Sequence, residues 1–513
     1  MKDRPQLVSR IVLAALATGV TGDLLLRSEP WGLNLALCAL LLIAAGLALA
    51  AGDGIALGAD ARWLMGAAAA FSGFFLWRGS PSLLALDLLA AAGALTLATL
   101  STDGLRIRRA GLYQYVLAGL LTAVDVARSF PELATRQARA PLVGRTLARR
   151  QARAGAVGLL LAVPILLMFG GLLTAADAVF DQMVTRAFDF DVANLFSHVV
   201  IAGLLAWLSC GLLRRMLFPR DAVVDQFLRA PRVSLGALEL GLPLGLLNAL
   251  FLAFVIVQLR YLFGDGSLVE TTVGLTYAEY ARRGFFELVA VAALVVPLLL
   301  LADWSATEGE GPARVTVRVL SVLQIALLSV IMASAIKRML LYVENYGLTE
   351  QRLYTTAFMA GLGLLLVWFC LTVLRGRREA FAAGAVAVAL HVLFVLNLLN
   401  PDALIVRVNT ARAVAGGSLD AAYVGHLSAD AVPELLASLD RLDADERCVV
   451  ARFLLGRWGD EGHGDWRSWN AARSRAYRDV RGRRAELQAL SCPSGESEAT
   501  GGTVTEPGAG DGS

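Results

Sequence analysis

The side chains that could do chemistry are densest in residues 259–304, LRYLFGDGSLVETTVGLTYAEYARRGFFELVAVAALVVPLLLLADW, a polar insert between two long apolar runs. The insert carries Arg260, Asp265, Glu270, Glu279, Arg282, Arg283 and Glu287 beside Tyr261, Tyr277 and Tyr280. Charges of both signs with phenol groups could line the mouth of a cavity for an ion or a polar ligand. The same residues also suit an interfacial cap whose charges neutralise one another. The local pattern is definite. Thr276-Tyr-Ala-Glu279 is a capping box, which predicts a helix from Tyr277. Glu279 and Arg283 make an i,i+4 pair in the favourable order, and Arg283 and Glu287 one in the reverse order. A weaker echo lies at residues 337–358, KRMLLYVENYGLTEQRLYTTAF. There Gly347-Leu-Thr349 repeats Gly274-Leu-Thr276 at an offset of 73 residues, which predicts a parallel internal repeat of the kind transporter folds build around a site.

Ionisable groups inside apolar helices are costly, so they mark sites by default. Asp23, Asp87, Asp125, Glu239, Glu287, Asp303 and His391 qualify. Glu239 lies one turn before Pro243 in Gly241-Leu-Pro-Leu-Gly245, where small residues allow close helix approach and the proline frees a carbonyl. Glu239 with Asn248 is the deepest polar pairing expected, although a protein-facing hydrogen bond is the ordinary explanation for each. Metal and enzyme signals are poor. His198, His391, His426 and His463 share no ligand spacing, and neither His-Glu-x-x-His nor Gly-x-Ser-x-Gly occurs. Lys2 and Lys337 are the only lysines, so a phosphate loop ending in Gly-Lys is excluded. No catalytic residue, metal ligand or cofactor is assigned, and Asp460-Glu-Gly-His463-Gly-Asp465 reads as a solvated loop before a cation site.

The elements that must position these groups are membrane helices. The chain has 513 residues, 57% hydrophobic and 17% charged, against about 25% charged in a soluble domain. Apolar runs of about 20 residues recur along it, enough to cross about 30 Å of hydrocarbon as helix. The expected class is all-α, a polytopic bundle of about 11–12 membrane segments, and the partner it demands is a lipid bilayer. A net charge of +3 with no basic, aromatic-interleaved patch gives no sign of nucleic acid. Basic segments at the N-terminus, 106–109, 128–153, 214–232 and 375–378 are separated by even numbers of expected helices, as the positive-inside rule requires. The exception is 110–130, carrying Gln114 and Asp125, which is expected to be tilted or re-entrant instead of crossing. The N-terminus is then cytoplasmic, and the 259–304 insert, its echo and everything after Pro401 lie outside the cytoplasm.

Three units follow: 1–400 as membrane domain, 401–492 as a small soluble helical domain, and 493–513 as a Gly/Ser/Thr/Glu-rich tail expected to be disordered. Residues 401–490 balance thirteen arginines against thirteen carboxylates. Asp443 with Glu446 makes a capping box, and Pro433 suits a first helical turn. An arginine-rich helix over 467–484 offers an exposed solvated face. Cys38, Cys210 and Cys370 fall in membrane helices and are expected to be inert. Cys448 and Cys492 are free to pair as a disulfide if this domain lies outside the cytoplasm.

Five segments together resemble a bacterial membrane family. They are GDLLLRSEPWGLN (22–34), TAADAVFD (174–181), LVETTVGLTYAEYARRGFFELV (268–289), YGLTEQRLY (346–354) and LNLLNPDALIVRVNTARA (396–413). The family resembled is the domain of unknown function 4173, close to 4153. The resemblance implies a multi-pass protein of the bacterial cytoplasmic membrane and brings no reaction, substrate or cofactor. The expected role is an integral membrane protein acting as an envelope scaffold or sensor, with a protein partner on its C-terminal domain. The alternative is a transporter with a polar site between proline-broken helices.

Overall fold

A computed structural model describes residues 5–102, 107–139, 192–218, 234–263, 285–306, 311–460 and 465–490, with scattered positions between 162 and 177. Every regular element among them is helical, and the one β-type contact is an isolated bridge between Leu235 and Ala306. The first four helices, α1 (Pro5–Leu26), α2 (Leu33–Gly52), α3 (Ala59–Trp77) and α4 (Pro81–Thr102), run up and down with short turns. α5 (Leu112–Arg139) and α6 (Val192–Leu217) follow, then α7 (Ala237–Phe263), α8 (Phe285–Ser305), α9 (Pro312–Tyr346), α10 (Glu350–Thr372) and α11 (Phe381–Leu399). Nine helices among the described residues are long and apolar enough to cross a membrane. α3 is not one of the nine; it carries Asp60 and Arg62 near its start, but it runs between the same two ends, packing Leu64 and Met65 near Leu7 and Ile11 and placing Phe74 beside Phe394. The expected helix over 154–176 falls mostly outside the described residues.

Two helix groups form the bundle. One gathers α1, α2, α3 and α6; the other gathers α7 to α10 around Leu299, Leu328, Ile331 and Phe369. α4 and α11 join them through Phe71, Phe74, Leu83, Leu393 and Leu396. Lipid is as apolar as leucine, so close packing, not hydrophobic transfer, holds such helices together. α1 and α6 illustrate this. A Cβ on Gly19 would fall 2.4 Å from the Ala202 carbonyl oxygen.

α5 does not cross. Its first turns sit beside Ile107, where the Tyr115 hydroxyl donates to the Ile107 carbonyl at 2.8 Å. Further along, Trp207 Nε1 donates to the Ala127 carbonyl at 3.0 Å and Arg214 to Ser129 Oγ at 3.0 Å. Those partners belong to the half of α6 that packs against the start of α1, so α5 stays at the N-terminal end of the bundle.

The other end is capped. α9 is 35 residues, about 52 Å of helix, longer than the hydrocarbon core it crosses. Its last turns carry Lys337, Arg338, Glu344 and Asn345 beyond the apolar stretch, whereas the hydropathy pattern suggests an end near Ile336. At Asn400 the chain passes from α11 straight into α12 (Pro401–Val414). Asn400 takes φ +53°, a left-handed conformation that Asn tolerates, and its Oδ1 accepts from Ala403 N at 3.3 Å. α13 (Ala421–His426), α14 (Val432–Ser438), α15 (Ala444–Trp458), α16 (Ala471–Gly482) and α17 (Arg484–Leu490) complete the cap. Ile405, Val406, Leu439, Val450 and Leu454 form its core, each worth about 1.5–3 kcal/mol of burial from water. Asp443 Oδ1 caps α15 by accepting from Glu446 N at 2.8 Å. The Glu446 carboxylate does not return the bond; it accepts from Leu419 N at 3.0 Å and ties in the preceding loop.

Candidate functional site at the seam between bundle and cap

Three short segments converge where the cap meets the bundle: Arg78-Gly-Ser80 between α3 and α4, Gly347 to Tyr354 at the α9–α10 turn, and Asn397 to Asn409 across α11 and α12. Arg78 lies over the Trp77 ring at 4.1 Å, donates from Nε to the Asn397 carbonyl at 2.7 Å, and pairs with Asp430 at 3.4 Å. Asp430 Oδ2 also accepts from Gly79 N at 2.5 Å and Ser80 N at 3.1 Å. Ser80 is the residue before Pro81, and its carbonyl accepts the first bond of α4 from Leu84 N. A carboxylate from the cap therefore sits on the N-terminus of a membrane helix, where free N–H groups and the helix dipole favour negative charge.

Deeper in, Asn397 Nδ2 donates to Asp87 Oδ1 at 2.8 Å. Asp402 is fully buried, and its Oδ2 accepts from Ser428 N at 3.1 Å. The Tyr354 hydroxyl lies next to Ser80, with Asp402, Glu350 and Asp87 around it. Ser80 Oγ, Tyr354 Oη, Asn397 Oδ1 and Asp402 Oδ1 are buried without hydrogen-bond partners. The cluster is thus rich in acceptors: Asp87 and Asp430 share Arg78, Arg473 also acts on Asp430, and Asp402 has the Glu350 charge beside it. Burial pushes the Asp402 carboxyl up to about 6, with the Glu350 charge adding to the rise and Ser428 opposing it. Burial also raises Asp430, against the pull of Gly79 N–H and Arg78. A proton on Asp402 would supply the donor that the cluster lacks.

Two clasps flank this centre. Asn409 Oδ1 accepts from Leu348 N at 2.6 Å while its Nδ2 donates to the Leu348 carbonyl at 2.8 Å. Gly347 makes that approach feasible, with φ +77° and no Cβ; one would lie 2.6 Å from Asn409 Oδ1. The Tyr423 hydroxyl accepts from Glu350 N at 2.8 Å, and Thr349 caps α10. On the other side Asn470 Nδ2 donates to the carbonyls of Phe75 at 2.9 Å and Arg78 at 2.7 Å. Leu33 N donates to the Trp469 carbonyl at 2.9 Å, and Arg473 to those of Pro30 and Trp31. The Arg467 and Arg473 side chains, expected on a solvated face, thus dock on the α1–α2 turn, Arg467 through the Leu24 carbonyl. Trp31, Trp77, Trp466 and Trp469 gather at the rim with partly exposed rings, as at a membrane–water boundary.

The residues singled out from sequence fare differently. Glu270, Glu279, Arg282 and Arg283 lie outside the described residues, as does the side chain of Arg260. Glu287 is exposed in the first turn of α8. Glu239 and Asn248 do not pair. They are nine residues apart on one helix, about 13 Å of rise. Glu239 is exposed at the start of α7 and accepts from Gly236 N at 2.7 Å; buried Asn248 donates to the Leu244 and Leu320 carbonyls. The Gly274–Thr276 half of the suggested repeat is likewise outside the described residues, although α7 and α9 do pack in the same direction through Gln258 and Ser334 at 2.7 Å. Asp23 and His198, read separately from sequence, meet: the Asp23 carboxylate binds Arg27 at 2.9 Å and His198 Nδ1. Asp460 and Asp465 each face an arginine, Arg484 and Arg467, and no metal-holding group occurs among the described residues. Cys38, Cys210 and Cys370 are free; Cys448 is disulfide-bonded, and Cys492 lies outside the described residues.

These features define an integral, multi-pass, all-α membrane protein whose last membrane helix leads into a helical cap locked back onto the bundle. Residues 64–438 match the Domain of unknown function (DUF4153), and the chain belongs to that family. The number corrects the resemblance to 4173 drawn from the motifs. The match spans both sides of the seam, from α3 into α14. No curated protein and no solved structure matches the chain.

Proposed function

We propose that this protein is an envelope scaffold or sensor whose helical cap is held outside the cytoplasm in a fixed pose by a proton-titratable seam. The observation that carries this reading is Asp430, a cap carboxylate seated on the N-terminus of α4 and paired with buried Arg78. A cap so held can transmit what binds it to the membrane helices. The side assignment rests on the positive-inside rule applied to the basic segments, of which Arg108, Arg214, Arg377 and Arg378 are described at the end opposite the cap, and on the bonded state of Cys448, which suits an oxidising compartment. Cys492 is its proposed partner. The exposed face of α16 presents Arg475, Arg478 and Arg481, so the proposed protein partner has an acidic surface. The transporter alternative has less support among the described residues, because Glu239, Asn248 and Glu287 share no cavity. Reporter fusions test the reading: those placed after residue 401 should report an extracytoplasmic position, and Cys448 should resist thiol labelling until reduced. A cytoplasmic signal after residue 401 would sink it.

The seam should also respond to pH. Asp402 is raised from 3.8 to about 6 in the folded state, so folding favours its neutral form. Its contribution is complete below about pH 4 and is lost as pH rises through 6, a change of about 3 kcal/mol. Asp430 is shifted in the same direction. The groups around Asp402 are Glu350, Tyr354 and Tyr423 from α10 and α13, and Asp430; Arg352 acts on Tyr423, and Arg78 acts on Asp430 and on Asp87 in α4. Thermal unfolding in detergent between pH 4 and 8 should show a falling midpoint that Asp402→Asn flattens. An unchanged slope in that variant would remove Asp402 from the account.

A further inference from the structure

At the end of the bundle away from the cap, a cavity of about 680 Å3 is lined by Arg108, Arg314, Arg318, Arg377 and Arg378. The arginines come from three separate stretches: the turn before α5, the first two turns of α9, and the α10–α11 turn. Asp303 and Glu379 are the only carboxylates in the lining. Arg108 is engaged by Asp60 at 2.9 Å, whereas Arg314, Arg318, Arg377 and Arg378 make no side-chain hydrogen bond or ion pair among the described residues. Arg314, Arg318 and Arg378 all act on the Asp303 carboxylate, which offsets only part of their charge; the excess of guanidinium groups around one hollow suits a phosphate, which takes paired N–H donors from arginine. The N-terminus of the long helix α9 adds its dipole to the same hollow.

A second cavity adjoins the first. It measures about 770 Å3, within the about 300–1,000 Å3 of small-molecule sites. It runs between α4, α8, α10 and α11, and its walls are apolar apart from Tyr354. Phe381 lines this groove and Phe369 lines the arginine cavity; their rings meet edge to face at 5.7 Å, forming a shared wall. Leu112 and Arg108 mark the same boundary from the other side. A cationic hollow bordering an apolar groove across the Phe369–Phe381 pair has the two-part chemistry of an amphiphile.

We propose that the two cavities together form a binding site for a phosphate-headed lipid, its headgroup among Arg314, Arg318 and Arg378 and an acyl chain in the groove beside Ala389 and Leu365. Basic pockets between membrane helices hold anionic headgroups in this way. The groove decides for a lipid over a soluble phosphate, which would leave it without an occupant. The proposal is independent of the cap's function.

Thermal unfolding of the detergent-purified full chain tests it, with short-chain phosphatidylglycerol, short-chain phosphatidylcholine and inorganic phosphate as probes. Phosphatidylglycerol should raise the midpoint at concentrations where phosphatidylcholine does not. Arg318→Gln and Arg378→Gln should each weaken the apparent affinity about fivefold. Ala389→Phe, which narrows the groove, should weaken it without touching an arginine, and Arg407→Gln on the cap should change nothing. Arg318 is exposed, so that variant keeps the test alive if Arg378→Gln fails to fold. Equal stabilisation by both lipids, an arginine-independent effect, or a full effect from inorganic phosphate alone would overturn the proposal.

Discussion

Replacing Asp430 by alanine is expected to loosen the cap from the bundle and to destabilise the protein by about 3–5 kcal/mol. The size follows from what the carboxylate leaves behind. The Arg78 side chain is only 9% exposed and would keep its charge with carbonyl partners alone. Gly79 N–H and Ser80 N–H would both lose their acceptor at the start of α4, where no residue of α4 itself can replace it. The raised pKa of Asp430 does not contradict this. It says that burying the charge is costly, so the pair adds little net energy, but removing one member strands the other. Asp430→Asn retains one acceptor oxygen and should cost less than alanine. Chemical unfolding in detergent gives the stability, and limited proteolysis near residue 400 reports release of the cap. Loss of well under 1 kcal/mol, with the cap still protected, would mean that the seam does not hold it.

Asn409→Leu is expected to cost about 2–5 kcal/mol, because it strips both partners from a buried peptide group. Leu348 is 8% exposed, and its N–H and carbonyl are each satisfied by the Asn409 amide. Each orphaned group costs about 1–3 kcal/mol. Leucine is larger than asparagine, so the loss cannot be assigned to a cavity. Asn409→Asp separates the causes further. It keeps the acceptor for Leu348 N–H but sets an anion against the Leu348 carbonyl, so it too should be destabilising. Amide exchange at Leu348 should accelerate in both variants. Protection unchanged from the parent protein would show that the clasp contributes nothing.

The helical class was legible because membrane helices announce themselves by run length. Helix ends were less legible. α9 continues for ten residues past Ile336 because its polar turns are held by the cap, which no local pattern reveals. The site was legible only as fragments. Asp87 was marked as a costly carboxylate in a membrane helix, but its partner Asn397 lies 310 positions away. The 337–358 echo drew notice as a copy of the 259–304 insert, whereas its Gly347, Thr349, Glu350 and Tyr354 belong to the seam. The signal available in the sequence was the run Asn397-Leu-Leu-Asn400-Pro-Asp402 at the exit of the last membrane helix. Side-chain amides and a carboxylate on both sides of a proline, just where the chain leaves lipid, have to find polar partners in whatever folds back over them. Arg78 and Asp430 carried no such local mark, since a basic residue after α3 and an aspartate in a cap helix are each ordinary on their own.

The central claim, that the cap is packed on the α3–α4 turn, is tested most directly by a designed crosslink. A Cβ on Gly79 would lie 3.4 Å from the Cβ of Ala472, close to the spacing of a disulfide. Gly79→Cys with Ala472→Cys, oxidised in the membrane and digested, should yield one linked peptide joining the α3–α4 turn to α16. A control pairing Gly79→Cys with a cysteine at exposed Arg478 should not link. Efficient linkage in the first pair alone is the result the seam predicts; equal linkage in both pairs, or none in the first, would contradict it.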